Sequence, residues 1–173
     1  MKLGRILSLL LVCALLAGCG GAAVLQEDLT GCWYMGQDLE YRYLVRFSGD
    51  GSFEILQTLR KNPTPETAVV FRLPGTWCLE NGVLTREYEA EVDPDSALAL
   101  PAELELNKNA LILDYGGLAE SWPRLTEEAE ALCLGQAPAV ECESCAGLGT
   151  VGYGDRARLW CEDCCGLGIV NGE

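Results

Sequence analysis

From Tyr41 to Phe47 the chain alternates, with Tyr41, Tyr43, Val45 and Phe47 on one side and Arg42 and Arg46 on the other. A period of two marks a half-buried strand whose arginine face is the polar one. Ser48-Gly49-Asp50-Gly51-Ser52 then gathers turn residues, and Phe53 and Ile55 resume the alternation, which predicts a hairpin. A second hairpin is predicted from Trp77 to Leu79 and Val83 to Tyr88, joined by Asn81-Gly82, a pair that tolerates the positive φ of a tight turn. A third sets 102–106 against 111–113 across Asn107-Lys108-Asn109. Short strands at this spacing predict a mainly β chain, built as a small antiparallel barrel or sandwich and not as a parallel sheet. The stretches 61–65 and 93–96 read as loops. Thr126 is the expected N-cap of a short helix from Glu127 to Leu134, with acids in its first turn and Gly135 as its stop.

The apolar run from Ile6 to Leu16 behaves differently. It follows Lys2 and Arg5, is too short to span a bilayer, and closes on Leu16-Ala17-Gly18-Cys19, the pattern of a cleaved export signal. That ending resembles the lipobox of bacterial lipoproteins. The resemblance implies that residues 1–18 are removed, that Cys19 becomes the lipidated first residue, and that 19–26 form a tether to the membrane. Two acyl chains give lasting attachment. An ordinary secretory signal with an incidental Cys19 is the alternative. Either reading places the chain outside the cytoplasm.

The densest chemistry lies at the other end. Cys142-Glu143-Ser144-Cys145-Ala146-Gly147-Leu148-Gly149 recurs 19 residues on as Cys161-Glu162-Asp163-Cys164-Cys165-Gly166-Leu167-Gly168. The C-x2-C-x15-C-x2-C spacing is that of a four-cysteine zinc ribbon. Two thiolates three positions apart grip one ion only if the backbone curls beneath them, and Gly147, Gly149, Gly166 and Gly168 supply that freedom. Thr150 to Trp160 is expected to form a hairpin that brings the pairs together. The repeat resembles those of the DnaJ-type cysteine-rich zinc domain. Two repeats imply one zinc, held by Cys142, Cys145, Cys161 and Cys164 in a closed structural site. The J domain's His-Pro-Asp signature is absent, so co-chaperone activity does not carry over. Disulfides or a thiol oxidoreductase remain the competing readings in an exported chain, although neither uses the duplicated glycines. Cys32, Cys78 and Cys133 read as small buried apolar residues; Cys165 could substitute for Cys164 but aligns with Ala146 in the repeat, and the sequence does not choose among the three pairings of these four cysteines or none.

A second, looser resemblance covers residues 27–125. Gly31-Cys32-Trp33, Gly49-Asp50-Gly51, Gly75-Thr76-Trp77 and a late Arg124 are similar to the small lipocalin-like domains of bacterial lipoproteins. The resemblance implies a barrel in which Arg124 packs on the Trp33 ring, and an interior that holds either a small apolar ligand or its own side chains. So short a barrel favours the filled interior. The expected organisation is a β domain over 27–125, helix and linker over 126–138, and the zinc ribbon over 139–173.

Charge and composition then narrow the function. The chain of 173 residues carries 12 basic against 26 acidic side chains and no histidine, a formal charge of −14. That excludes nucleic acid as a partner and removes histidine-based hydrolase chemistry. Glu87, Glu89 and Glu91 read as a solvated strand face. The leading expectation is a lipid-anchored, non-enzymatic binding or adaptor protein that contacts another envelope protein. A carrier of a small apolar ligand and a thiol-disulfide oxidoreductase are the alternatives.

Overall fold

The computed structural model describes residues 24–91, 100–107, 109–153 and 158–172. Cys19, the signal segment and the loop at 93–96 lie outside the described residues. After a single helical turn, α1 (Gln26–Leu29), eight strands follow in order: β1 (Gly31–Gln37), β2 (Tyr41–Phe47), β3 (Ser52–Leu59), β4 (Val69–Glu80), β5 (Val83–Tyr88), β6 (Ala102–Asn107), β7 (Ala110–Asp114) and β8 (Ala119–Pro123). Each pairs antiparallel with the next, so the sheet is a meander. Most connections are short, and a two-residue turn can only return a strand beside its predecessor; longer stretches join β3 to β4 and β5 to β6. Glu80 pairs with Val83 across Asn81 and Gly82, at φ 53° and 80°, as the Asn-Gly signal predicts.

The meander curls until its ends meet. Trp33 on β1 bridges to Arg124, and the Leu125 N–H donates to the Cys32 carbonyl at 2.9 Å, which nearly closes a barrel. The Arg124 guanidinium lies 4.2 Å from the Trp33 ring centroid and donates to the Thr30 carbonyl at 2.8 Å and to the Asp28 carbonyl. The Trp33 indole N–H donates to the Leu29 carbonyl at 2.8 Å, which ties α1 to the same clasp. Trp33, Trp77 and Trp122 fill the interior with Phe47, Phe53, Ile55, Leu84, Leu111 and Leu113. Gly75 matters here, because a Cβ would strike both the Glu87 carbonyl and the Phe53 ring.

A second core lies outside the barrel. Tyr34, Leu44 and Leu56, which project from the opposite face of β1, β2 and β3, pack against Leu132 and Cys133 of α2 (Glu127–Cys133) and against Leu167 and Ile169. Thr126 caps α2 by accepting from the Ala129 N–H at 3.2 Å, as its sequence predicts. The Arg46 Nε donates to Glu130 of α2 at 2.9 Å. The expectation that the β2 arginines face solvent is therefore corrected. Arg42 is only 1% exposed and Arg46 is half-buried, because a second layer covers the strand face that alternation marks as polar. Cys78 is corrected the other way: it is exposed on β4, beside inward-facing Trp77 and beyond the reach of the second layer. Strand β4 also runs twelve residues, starting well before Trp77 and continuing through Pro74.

The C-terminal segment adds two small sheets. Strand β9 (Ala139–Glu141) pairs with β12 (Ile169–Asn171), and β10 (Thr150–Tyr153) pairs with β11 (Arg158–Trp160), the hairpin expected between the cysteine pairs. Among the described residues no helix is long and apolar enough to cross a membrane.

Replacing Arg124 with Ala removes the cation-π contact and two carbonyl partners at the seam of the barrel. The expected loss is about 1–2 kcal/mol, read from denaturant unfolding followed by tryptophan fluorescence. An unchanged midpoint would show that the clasp contributes nothing.

Candidate metal centre

The four predicted ligands come together. Cys142, Cys145, Cys161 and Cys164 are buried, and one Sγ from each lies within 4.8 Å of the others. The Cys142 and Cys161 sulfurs are 3.8 Å apart and those of Cys145 and Cys164 are 3.7 Å apart. A tetrahedron with metal–sulfur bonds of about 2.3 Å has sulfur–sulfur edges of about 3.8 Å, so the cage has the size a thiophilic ion requires. A disulfide needs about 2.05 Å, and all eight described cysteines are free thiols.

Local backbone geometry explains why the motif is written twice. Cys142 precedes a short 3-10 helix (Glu143–Cys145), after which Ala146 takes a left-handed conformation at φ 48°. Its repeat mate Cys165 sits at φ 50°. The chain then doubles back, and the Gly149 N–H donates to the Cys145 sulfur at 3.2 Å while the Gly168 N–H donates to Cys164 at 3.2 Å. Across the pair, the Cys142 N–H donates to the Gly168 carbonyl at 3.0 Å and the Cys161 N–H donates to Gly149 at 2.9 Å. Each knuckle thus closes the other. Gly149 and Gly168 are fixed twice over: both have positive φ, and a Cβ on either would collide with the carbonyl of Gly166 or Gly147 in the opposite knuckle.

Electrostatics favour a cation at the centre. Burial pushes the Cys145 and Cys164 thiols up, against the pull of the glycine N–H donors. At Cys142 burial also raises the value, but hydrogen bonds from the backbone and thiol of Cys145 and from the thiols of Cys161 and Cys164 outweigh it and hold it low. A metal ion at the centre would supply the positive charge that compensates burial of the thiolates. Four thiolates on one ion would leave no open coordination position, as in closed tetrahedral sites.

Three barrel side chains that the sequence reading did not single out reach the knuckles. The Arg42 Nε donates to the Leu167 carbonyl at 2.8 Å, the Arg60 Nη2 donates to the Gly147 carbonyl at 2.7 Å, and the Gln37 amide donates to the Leu148 carbonyl. The Tyr34 ring meets Trp160 edge-on at 5.5 Å. No local signal marks these residues, since their partners lie about a hundred positions away. The remaining cysteines stand apart from the cage: Cys32 and Cys133 are buried in the outer core, while Cys78 and Cys165 are exposed. Burial pushes the Cys133 thiol up to about 11 and that of Cys32 higher still.

Comparison with protein-family models, with curated proteins and with solved structures finds no match to this chain. What the site can do is therefore argued from its own geometry.

Reduced protein is expected to bind one thiophilic ion per chain by elemental analysis. Changing Cys142, Cys145, Cys161 or Cys164 to Ser should abolish tight binding, and Cys165→Ser should leave it unchanged; absence of metal after refolding with zinc under reducing conditions would overturn the assignment. Iodoacetamide at mildly alkaline pH should modify Cys78 and Cys165 of the folded, metal-loaded protein well before Cys32 and Cys133, as peptide mass mapping would show. Early labelling of Cys133 would contradict its burial.

Proposed function

We propose that this chain is a lipid-anchored, extracytoplasmic adaptor that carries one structural zinc ion and presents its surface to another envelope protein. The observation that carries the reading is the closed four-thiol cage mounted on a barrel already filled by its own side chains. Zinc suits four soft thiolates in tetrahedral array and brings no redox chemistry of its own. Packing of Trp33, Trp77, Trp122, Phe47 and Phe53 through the interior supports an adaptor over a carrier. Sulfurs that each face a sulfur of the other knuckle support a metal centre over a thiol oxidoreductase, whose reactive pair must lie side by side and open to a substrate. Lipid at Cys19 would hold the barrel close to the membrane, since only a few residues separate Cys19 from the helical turn Gln26–Leu29 that leads into β1. The lipocalin-like reading of residues 27–125 gains support from the contact of Arg124 with Trp33.

Labelled palmitate should enter the wild-type protein, and Cys19→Ala should lose both the label and membrane retention. Wild-type protein recovered wholly in the soluble fraction would sink the anchor. The reduced, zinc-loaded protein should not accelerate insulin reduction by dithiothreitol, and acceleration abolished by Cys142→Ser would replace the adaptor reading with the oxidoreductase one.

A further inference from the structure

We infer that the barrel supplies part of the metal site, with Arg42, Arg60 and Gln37 acting as positioning residues that hold both knuckles closed on the ion and Arg42 serving as its buried counter-charge. The inference rests on the metal-centre reading above and extends it to residues outside the cysteine motif.

Arg42 is the central observation. Its guanidinium, on a side chain 1% exposed, donates to the carbonyls of Leu167 at 2.8 Å, Leu59 at 3.1 Å and Arg60 at 3.0 Å. Among the described residues the carboxylate partners go to Arg46 and Arg72, and Arg42 has none. A buried cation satisfied only by carbonyl dipoles is costly unless a negative charge stands nearby. Four thiolates around one divalent ion carry two negative charges in excess, and Leu167, which accepts from Arg42, lies between Cys164 and the Gly168 N–H that holds its sulfur. The counter-charge and the cage thus meet through one stretch of backbone.

The other two contacts act on the first knuckle. Arg60 reaches the Gly147 carbonyl, and its Nη1 also donates to the Asp38 carbonyl at 2.6 Å, linking the β1–β2 loop to the knuckle. Gln37 takes the adjoining Leu148 carbonyl. Both knuckles are therefore fastened to the same end of the barrel, each through the turn that orients its second cysteine. Groups that orient metal ligands without touching the metal are commonly worth about 10–100-fold in affinity.

The test is zinc affinity of the full-length reduced protein, measured by competition with a chromophoric chelator, with cobalt absorption reporting tetrahedral thiolate geometry. Near-UV circular dichroism of the interior tryptophans checks that each variant's barrel is folded. Arg42→Met should weaken zinc binding about 10–100-fold, and Arg42→Lys should recover part of the loss by keeping the charge while losing the fork. Should Arg42→Met fail to fold, Arg60→Ala and Gln37→Ala, at partly buried positions, carry the test with losses of about tenfold. Folded variants that bind zinc as tightly as the wild type would overturn the positioning role while leaving the metal centre intact. A wild-type protein that takes up no thiophilic ion would instead overturn the metal centre, and this inference with it.

Discussion

Thirty-five residues, from 139 to 173, carry four ligand cysteines and little apolar surface, and a segment of that size cannot build a sufficient core alone. The chain meets this constraint in two ways. It closes four thiols into a cage, and it lays Leu167 and Ile169 on the outer face of β1, β2 and β3 beside α2. The same three strands must then be apolar on both faces, with Val45 and Phe47 inward and Leu44 and Tyr34 outward. Strands farther along the meander have no such cover, and Cys78 and the glutamates of the β5 edge face water.

The knuckles are chemical copies, but the fold uses them unequally. Leu167 in the second knuckle is 1% exposed and wedged into the outer core, whereas its repeat mate Leu148 in the first is 61% exposed. Hydrogen bonds within the cage obey the repeat; packing does not. The internal symmetry belongs to the four-thiol cage, to which each knuckle contributes one pair, and the asymmetry belongs to docking, which uses only one side of the module.

The sequence disclosed the parts whose cause is local. Asn81-Gly82 demands its turn and Thr126 its cap, because in each case the deciding contacts lie within a few residues; the cage joins two knuckles 19 residues apart, and is legible because each Cys-x-x-Cys-x-Gly-x-Gly repeat shapes its own knuckle and the duplication marks them as partners. Trp33 and Arg124 were legible only through a family resemblance, although the contact itself is plain in the structure. Arg42 was misjudged for a definite reason. Alternation tells which residues share a strand face, but a face lined by Arg42, Leu44 and Arg46 looks solvated until the layer from 127 to 169 is laid over it. The first half of β4 was hidden by Pro74, which tolerates a strand only where its missing N–H is not needed.

Strand β1 shows how the two ends of the molecule divide their roles. Near its start Arg124 clasps Trp33 and closes the barrel; at its end Gln37 meets the first knuckle. The two attachments differ in kind. Arg124 covers a ring and meets two backbone carbonyls at the outer seam of the barrel, and its loss costs about 1–2 kcal/mol. Arg42, by contrast, is enclosed with the Leu167 carbonyl, so truncating it while the module stays docked strands a buried acceptor, at about 1–3 kcal/mol. Undocking the module exposes both groups to water and avoids that penalty. The balance therefore turns on whether the module stays docked: Leu167 accepts from Arg42 inside the buried layer, and an ion that held the cage closed would, by linkage, gain the same free energy that Arg42 supplies to the docked state.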